Sequence, residues 1–276
     1  AGGAAVRVIA RDAGKLDPGM HERLEIIEGS HSDPAVLDRA LPGADALFWL
    51  VPPNTAASSA KAHYLAFARV AADAIRRHRV SHVVGVSTAG HGWPKSAGLS
   101  SASLVMDAEL ERSGAAYGAL GMPFYMDNLE RQLDAIRQHG VFSLTYAPDR
   151  PLAMVATRDI AQVAAGLLTN RDWTGQQRLP VFGPDRLTPE QMSTVMTDVL
   201  ARPVTYRQTS IEDFASGLVA QGWTEQAVRD MTEMLIAQDE GMYEADWAAA
   251  TPTTTDFRTW LENAVQSADR RQDLSR

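Results

Sequence analysis

Arg11 and Lys15 stand four residues apart just beyond a short apolar run, Val6 to Ala10. At the end of the second strand of a dinucleotide-binding sheet, a guanidinium can stack on adenine and fork onto an adenosine 2′-phosphate, and a lysine adds a point charge beside it. The pair therefore reads as the adenosine end of a nucleotide site, against the plain alternative of a surface Arg-x-x-x-Lys on a loop. A second candidate is "GVSTAG", Gly85 to Gly90, which closes another apolar run. A nucleophile elbow needs Gly-x-Ser-x-Gly so that its turn can strain, and here the second glycine comes one residue late. Ser87 is expected to hydrogen-bond a bound ligand from a strand end rather than to act as a nucleophile.

The remaining reactive side chains are weaker signals. His78 and His82 have a zinc-like spacing, but one ends a helix and the other begins a strand, so they should not converge. Asp107, Glu109 and Glu111 read as a charged helix face, not as a paired acid and base. The loop "GHGWPKSAG" (Gly90 to Gly98) brings His91, Trp93 and Lys95 to the carboxyl end of a strand, where catalytic groups gather. The alternative for Lys95 is a solvated side chain.

These groups must be held by a scaffold, and the chain of 276 residues alternates short apolar runs with helical patterns. The runs are "VRVIA" (6–10), "LEIIE" (24–28), "ADALFWLV" (44–51), "HVVGVS" (82–87) and a short one at 117–120. Asp33-Pro34 opens one intervening helix and Thr55 is expected to cap a long one reaching about Arg79; a third spans about 103–112. Such alternation predicts a doubly wound parallel α/β sheet of Rossmann type, with ligands at the carboxyl ends of its strands. Beyond residue 150 the pattern changes. A helix is expected over 157–168, "TPEQ" (188–191) starts another with a capping box, 204–206 is a strand, and three more helices follow, the last from about Thr255. The expected domains are 1–150, the dinucleotide-binding sheet, and 151–276, a smaller, mostly helical substrate lobe interleaved with it; "RRQDLSR" reads as a frayed tail.

Bulk composition narrows the classes. A net charge of −8 argues against a nucleic-acid binder. The absence of cysteine excludes disulfides, cysteine–zinc sites and a cysteine nucleophile. No apolar run reaches the roughly 18 residues of a membrane span, so a cytoplasmic protein is expected, without metal, nucleic acid or membrane.

Taken in order, several segments resemble the NmrA-like family of atypical short-chain dehydrogenases/reductases, the triphenylmethane reductase, quinone reductase and NADP-sensor type. They are "VRVIARDAGKL", "PGADALFWLVPP", "ERSGAAYGALGMPFYMDNL" (111–129), "MVATRDIAQVAAGLL" (154–168) and "TPTTTDFRTWLENA". The chain departs from that pattern in four places. The Gly-x-x-Gly-x-x-Gly turn is absent, Gly29-Ser30-His31 replaces Gly-Asp, Gly121-Met122 replaces Arg-Pro, and Ser103 stands where the family often has histidine. The family's first strand is central, so its flanking strands are expected to lack a ladder partner here. The sequence is accordingly expected to be a shortened form of a longer chain, the alternative being a natural deletion with cofactor binding lost.

The resemblance implies an NADPH-dependent reductase of a small conjugated or quinone-like substrate, working by hydride transfer from NADP(H). The alternatives are an NADP(H)-sensing regulator without turnover and a cofactor-independent cyclase or isomerase. It implies that Arg11 and Lys15 bind the 2′-phosphate and that Ser30 lies in the adenine-facing loop. Val51, Pro52 and Pro53 would shape the ribose loop, and Ser87, Thr88 and Ala89 would lie by the nicotinamide. Tyr125 and Asn128 would line the junction between the domains. Lys95, His91 or Tyr125 would donate a proton, the choice among them left open. A small-molecule substrate is implied, with a homodimer or a protein partner as a further expectation.

Overall fold

The structure, a computed structural model, describes residues 4–250 and 252–274. Its first half runs β1 (Arg7–Ala10), a short 3-10 turn (Ala13–Lys15), α1 (Pro18–His21), β2 (Glu25–Glu28), α2 (Pro34–Ala40), β3 (Ala46–Trp49), α3 (Ala60–His78), β4 (His82–Thr88), α4 (Gly98–Glu111) and β5 (Ala116–Met122). The second half continues with β6 (Phe124–Tyr125), a 3-10 helix (Met126–Gln132), α5 (Leu133–His139), β7 (Val141–Leu144), β8 (Leu152–Val155), α6 (Thr157–Thr169), β9 (Gln176–Pro180), β10 (Arg186–Leu187), α7 (Pro189–Leu200), β11 (Thr205–Gln208), α8 (Ile211–Ala220), α9 (Glu225–Asp239), α10 (Glu244–Ala249) and α11 (Phe257–Leu274).

The strands β3-β4-β5-β9 form one parallel sheet and β1-β2 a second parallel pair. Among the described residues no ladder joins β1 to β3, and Val6, Phe48 and Leu50 on those segments are exposed. The alternating direction of side chains along a strand decides what covers each face. Val83, Tyr117 and Ala119 pack with α3 and α4, whereas Val84, Leu120 and Met122 pack with Ile160 and Ala164 of α6. Helices thus cover both faces, as a doubly wound α/β sheet requires. Ala68, Ala71 and Ala74 are fully buried on α3, and their small side chains let that helix lie close to its neighbours.

Elements from either side of residue 150 share sheets. β5 pairs β9, β6 pairs β8, and β7 pairs β11, with β10 added antiparallel to β8. A second core gathers Met126, Phe142, Met192, Met196, Phe257 and Trp260 under α7 and α11. Each such side chain contributes roughly 1.5–3 kcal/mol by leaving water.

The capping signals hold at two helices. Asp33 accepts from Ala35 N at 2.8 Å ahead of Pro34, and Thr188 and Gln191 form the reciprocal capping box. The long helix starts later than expected. Ser59, not Thr55, caps α3, because residues 54–57 turn on the Asn54 side chain and the Thr55 carbonyl is taken by Thr224 N at 3.0 Å. α4 starts earlier than expected, at Gly98, and four helices rather than three follow β11, the additional one being the six-residue α10. Nor does the chain fray at Arg270, since α11 continues through Leu274; the last two residues of "RRQDLSR" lie outside the described residues. No described helix is long and apolar enough to cross a membrane, and no described group of histidines and carboxylates could hold a metal.

Candidate functional site

The carboxyl ends of β1, β2 and β3 open toward one edge. Arg11 follows β1 directly and is exposed; Lys15 closes the 3-10 turn, its side chain 84% exposed and its Nζ 4.0 Å from Asp12. Among the described residues that is the pair's one ion-pair contact, and Glu28 also reaches this loop, accepting from Ala13 N at 3.1 Å. Ser30, after β2, is engaged in a local turn, its hydroxyl 2.7 Å from that of Ser32. Its neighbour His31 is the unexpected residue. The ring stacks edge-on to Trp49 at 5.0 Å and against Phe67 at 4.7 Å, and Nε2 is buried with no partner. Burial, reinforced by Arg11 and His63 nearby, holds His31 below its ordinary pKa, so the imidazole is neutral at pH 7. Val51 is buried; Pro52 and Pro53 are exposed at the start of the loop to α3, where the Pro52 carbonyl lies 3.0 Å from His63 Nε2. His78 and His82 do not converge: His78 Nε2 meets Asp38 at 2.7 Å and His82 Nε2 meets the Trp173 carbonyl at 3.0 Å.

The end of β4 carries a buried polar triplet. Ser87 Oγ donates to Asp107 Oδ2, and Tyr117 OH donates to Asp107 Oδ1 at 2.6 Å. Asp107 is 3% exposed, in contrast to the charged face expected for it with Glu109 and Glu111. Its helical neighbours Ser103, Met106 and Leu110 are all buried, and a carboxylate on that stripe is the signal that sequence reading passed over. Burial pushes the Asp107 carboxyl up to about 6, against the opposing pull of its two hydrogen bonds. Gly85 makes the geometry possible, because a Cβ there would overlap the Tyr117 hydroxyl. Its role is close approach on a flat strand, not an elbow.

Ser87, Thr88, Ala89, His91 and Asp107 line one cleft of about 280 Å³. His91 stands exposed at its mouth. Lys95 points elsewhere: Nζ pairs with Glu240, just past α9, at 2.6 Å, and the adjacent Ser96 hydroxyl donates to Glu233 at 2.7 Å. Tyr125, in the layer of β6 and β8, packs with the cluster under α6. Burial keeps its phenol protonated far above neutrality. Asn128 is exposed, whereas the neighbouring Asp127 caps α6 through Thr157 N at 2.8 Å. The structure thus gathers Ser87, Thr88, Ala89 and His91 at one cleft, and leaves Lys95 on the far side of its loop.

The profile of the NAD(P)H-binding family matches residues 1–171. The chain belongs to that family. The (4-alkanoyl-5-oxo-2,5-dihydrofuran-3-yl)methyl phosphate reductase of Streptomyces griseus is 28% identical over 217 residues, 78% of this chain and 73% of the relative. Quinone oxidoreductase 2 of Escherichia coli is 24% identical over 233 residues, 84% of this chain and 77% of the relative. The fold matches that of Citrobacter sp. triphenylmethane reductase complexed with NADP(H), with a TM-score of 0.75 at 17% identity, covering 94% of this chain and 90% of the other. A mutant NmrA shares the fold as well, with a TM-score of 0.65 at 15% identity, covering 94% of this chain and 82% of the other.

The residues at the strand ends suit such a cofactor. Arg11, which makes no ion pair among the described residues, and the exposed Lys15 offer donors to a phosphate, and the unpartnered His31 Nε2 marks a polar position in an otherwise aromatic wall.

Proposed function

We propose that the chain is an NADPH-dependent reductase of small conjugated carbonyl compounds. The observation that carries the reading is the Ser87–Asp107 pair, a buried carboxyl holding a hydroxyl at the end of β4, beside a cleft in a family that binds NAD(P)H. The naming of two relatives as a furanone phosphate reductase and a quinone oxidoreductase supports the substrate class. The bound nicotinamide supplies the hydride.

The chain's own residues do the rest. Arg11 forks onto the 2′-phosphate while Lys15 adds charge, and Val51, Pro52 and Pro53 wall the ribose. Ser30 and His31 would lie on the adenine side, and Thr88 and Ala89 by the nicotinamide. Tyr125 and Asn128 would line the junction between the domains. Ser87 holds a proton at Oγ, and a protonated Asp107 replaces it there through the hydrogen bond they share. His91 is the second candidate donor, at the mouth of the cleft, and Lys95 requires release from Glu240 before it could serve.

Calorimetric titration of NADPH and NADH, followed by NADPH oxidation across a panel of quinones and unsaturated lactones, tests the reading. Tighter binding of NADPH and turnover of at least one panel member are expected. Equal affinities would remove the role of Arg11 and Lys15. Binding without turnover would place the chain among cofactor sensors instead.

A further inference from the structure

A second, larger cleft of about 390 Å³ lies where β8 and β10 meet α9 and α10. Four rings wall it, those of Phe124, Tyr146, Tyr243 and Trp247, together with the guanidinium groups of Arg150 and Arg186. Both arginines lean on a single carboxylate oxygen: Arg186 donates to Glu244 Oε1, and Arg150 Nη2 lies 3.5 Å from the same atom. Among the residues that line the cleft two cations face one anion, while Asp239 and Asp246 stand behind Tyr146 and Tyr243. Among the described residues neither guanidinium makes another side-chain hydrogen bond, so most N–H donors of the two forks have no protein acceptor. The Trp247 ring lies 6.0 Å from the Arg186 guanidinium carbon and steadies it.

We propose that Arg150 and Arg186 form an anion subsite, guarded by Glu244, for a flat conjugated substrate that carries an oxyanion group such as a carboxylate, phosphate or sulfonate. This deepens the reductase reading and rests on it for the identity of the reacting ring. Glu244 is 46% exposed on its side chain, and an ion pair so open contributes about 1 kcal/mol or less. A ligand oxyanion that engages both forks with two oxygens therefore displaces it readily. The aromatic wall then takes the ring and leads toward the end of β4. Trp247 packs edge-on against Phe182 at 5.7 Å, Phe182 clusters with Ala89, and the Tyr243 hydroxyl faces Thr88 and Ser100. A ring anchored at the arginines thus lies one layer of packed side chains from the residues assigned to the nicotinamide.

The test compares naphthoquinone with naphthoquinone sulfonate. Each is assayed with NADPH in the wild type and in Arg150→Gln, Arg186→Gln and Glu244→Gln, and each is titrated calorimetrically without turnover. The sulfonate is expected to show a KM lower by about tenfold or more. Arg186→Gln should raise that KM by about ten- to a hundredfold, the loss expected for a charge-assisted pair, and raise the KM of the neutral quinone far less. Glu244→Gln should lower the KM of the sulfonate, which a purely structural role for this carboxylate would not do. Equal KM values for the two compounds, or an equal rise for both in Arg186→Gln, overturn the subsite. If neither compound is reduced although NADPH binds, the reductase reading falls and calorimetry alone decides. Selective binding of the sulfonate, abolished in the two arginine variants, then upholds the anion subsite, and its absence refutes it.

Discussion

Ser87 on β4 and Asp107 on α4 are joined by a hydrogen bond buried between sheet and helix, and the Asp107 carboxyl is raised to about 6. A carboxyl whose folded-state pKa lies above its unfolded value near 4 is stabilising in its protonated form. Its contribution is therefore lost as pH rises from about 4 through about 6, amounting to roughly 3 kcal/mol. Asp107→Asn keeps two hydrogen-bonding atoms but cannot titrate. Denaturant midpoints at several pH values should fall between pH 4 and 6 in the wild type relative to the variant, and a difference that stays constant with pH would refute the assignment.

The same group should shape the rate. With Asp107 protonated, Ser87 Oγ can turn its own proton toward the ligand; with Asp107 ionised, that proton is held inward. Single-turnover rates under the proposed reductase activity should therefore decline as pH rises through about 6, and the inflection should vanish in Asp107→Asn. An unchanged profile would move the proton to His91.

Gly85 and Tyr117 make a separate, purely steric prediction. Gly85→Ala drives a methyl group into the Tyr117 hydroxyl and should cost about 1–3 kcal/mol of stability, read as a lowered Tm. Tyr117→Phe removes the nearest of the three obstructing atoms and leaves two ring carbons at 2.8 and 2.9 Å, so the double variant should lose somewhat less than the sum of the two single ones. Strict additivity would show that the two positions do not touch.

At the adenosine end, Arg11→Gln should weaken NADPH binding by about ten- to a hundredfold while changing NADH binding little, as measured by calorimetry. Loss of both affinities together would show that Arg11 supports the loop rather than reading the 2′-phosphate.

Gly98 tests the joint between the lobe and the sheet. It has φ +47°, and an added Cβ would run into the Asp230 backbone carbonyl of α9. Gly98→Ala should lower Tm by more than an exposed glycine-to-alanine change such as Gly166→Ala, for which nothing stands in the way.

Much of this architecture could be read from local signals. Run length located the parallel strands β1 to β5 but not β9, which completes their sheet, and capping residues located helices where Asp33-Pro34 and Thr188-Pro189-Gln191 act within one turn of themselves. The start of α3 was misplaced because Thr55 is claimed by Thr224, far along the chain, which leaves the cap to Ser59. Asp107 was concealed by its company: near Glu109 and Glu111 it resembles surface charge, and only its alignment with Met106 and Leu110 on the buried stripe sets it apart. The arginine cleft was not legible at all, since residues 150, 186 and 244 meet only through the packing of β8, β10 and α10.

The run of contacts along α9 limits how ligands can come and go. From one end of that helix to the other, Thr224 holds the Thr55 and Ala57 carbonyls, Asp230 caps Ala60 N at 3.1 Å and abuts Gly98, Glu233 holds Ser96, and Glu240 holds Lys95. Swinging α9 outward would break this seam at several points together, each costing on the order of 1 kcal/mol. The six-residue α10 hangs instead on the Asp246 bond to Gly90 N, the half-exposed Glu244 pair and the packing of Trp247. Of the two helices that border the larger cleft, α10 is therefore the less firmly held, and a cut in its anchorage such as Asp246→Asn should loosen it before α9.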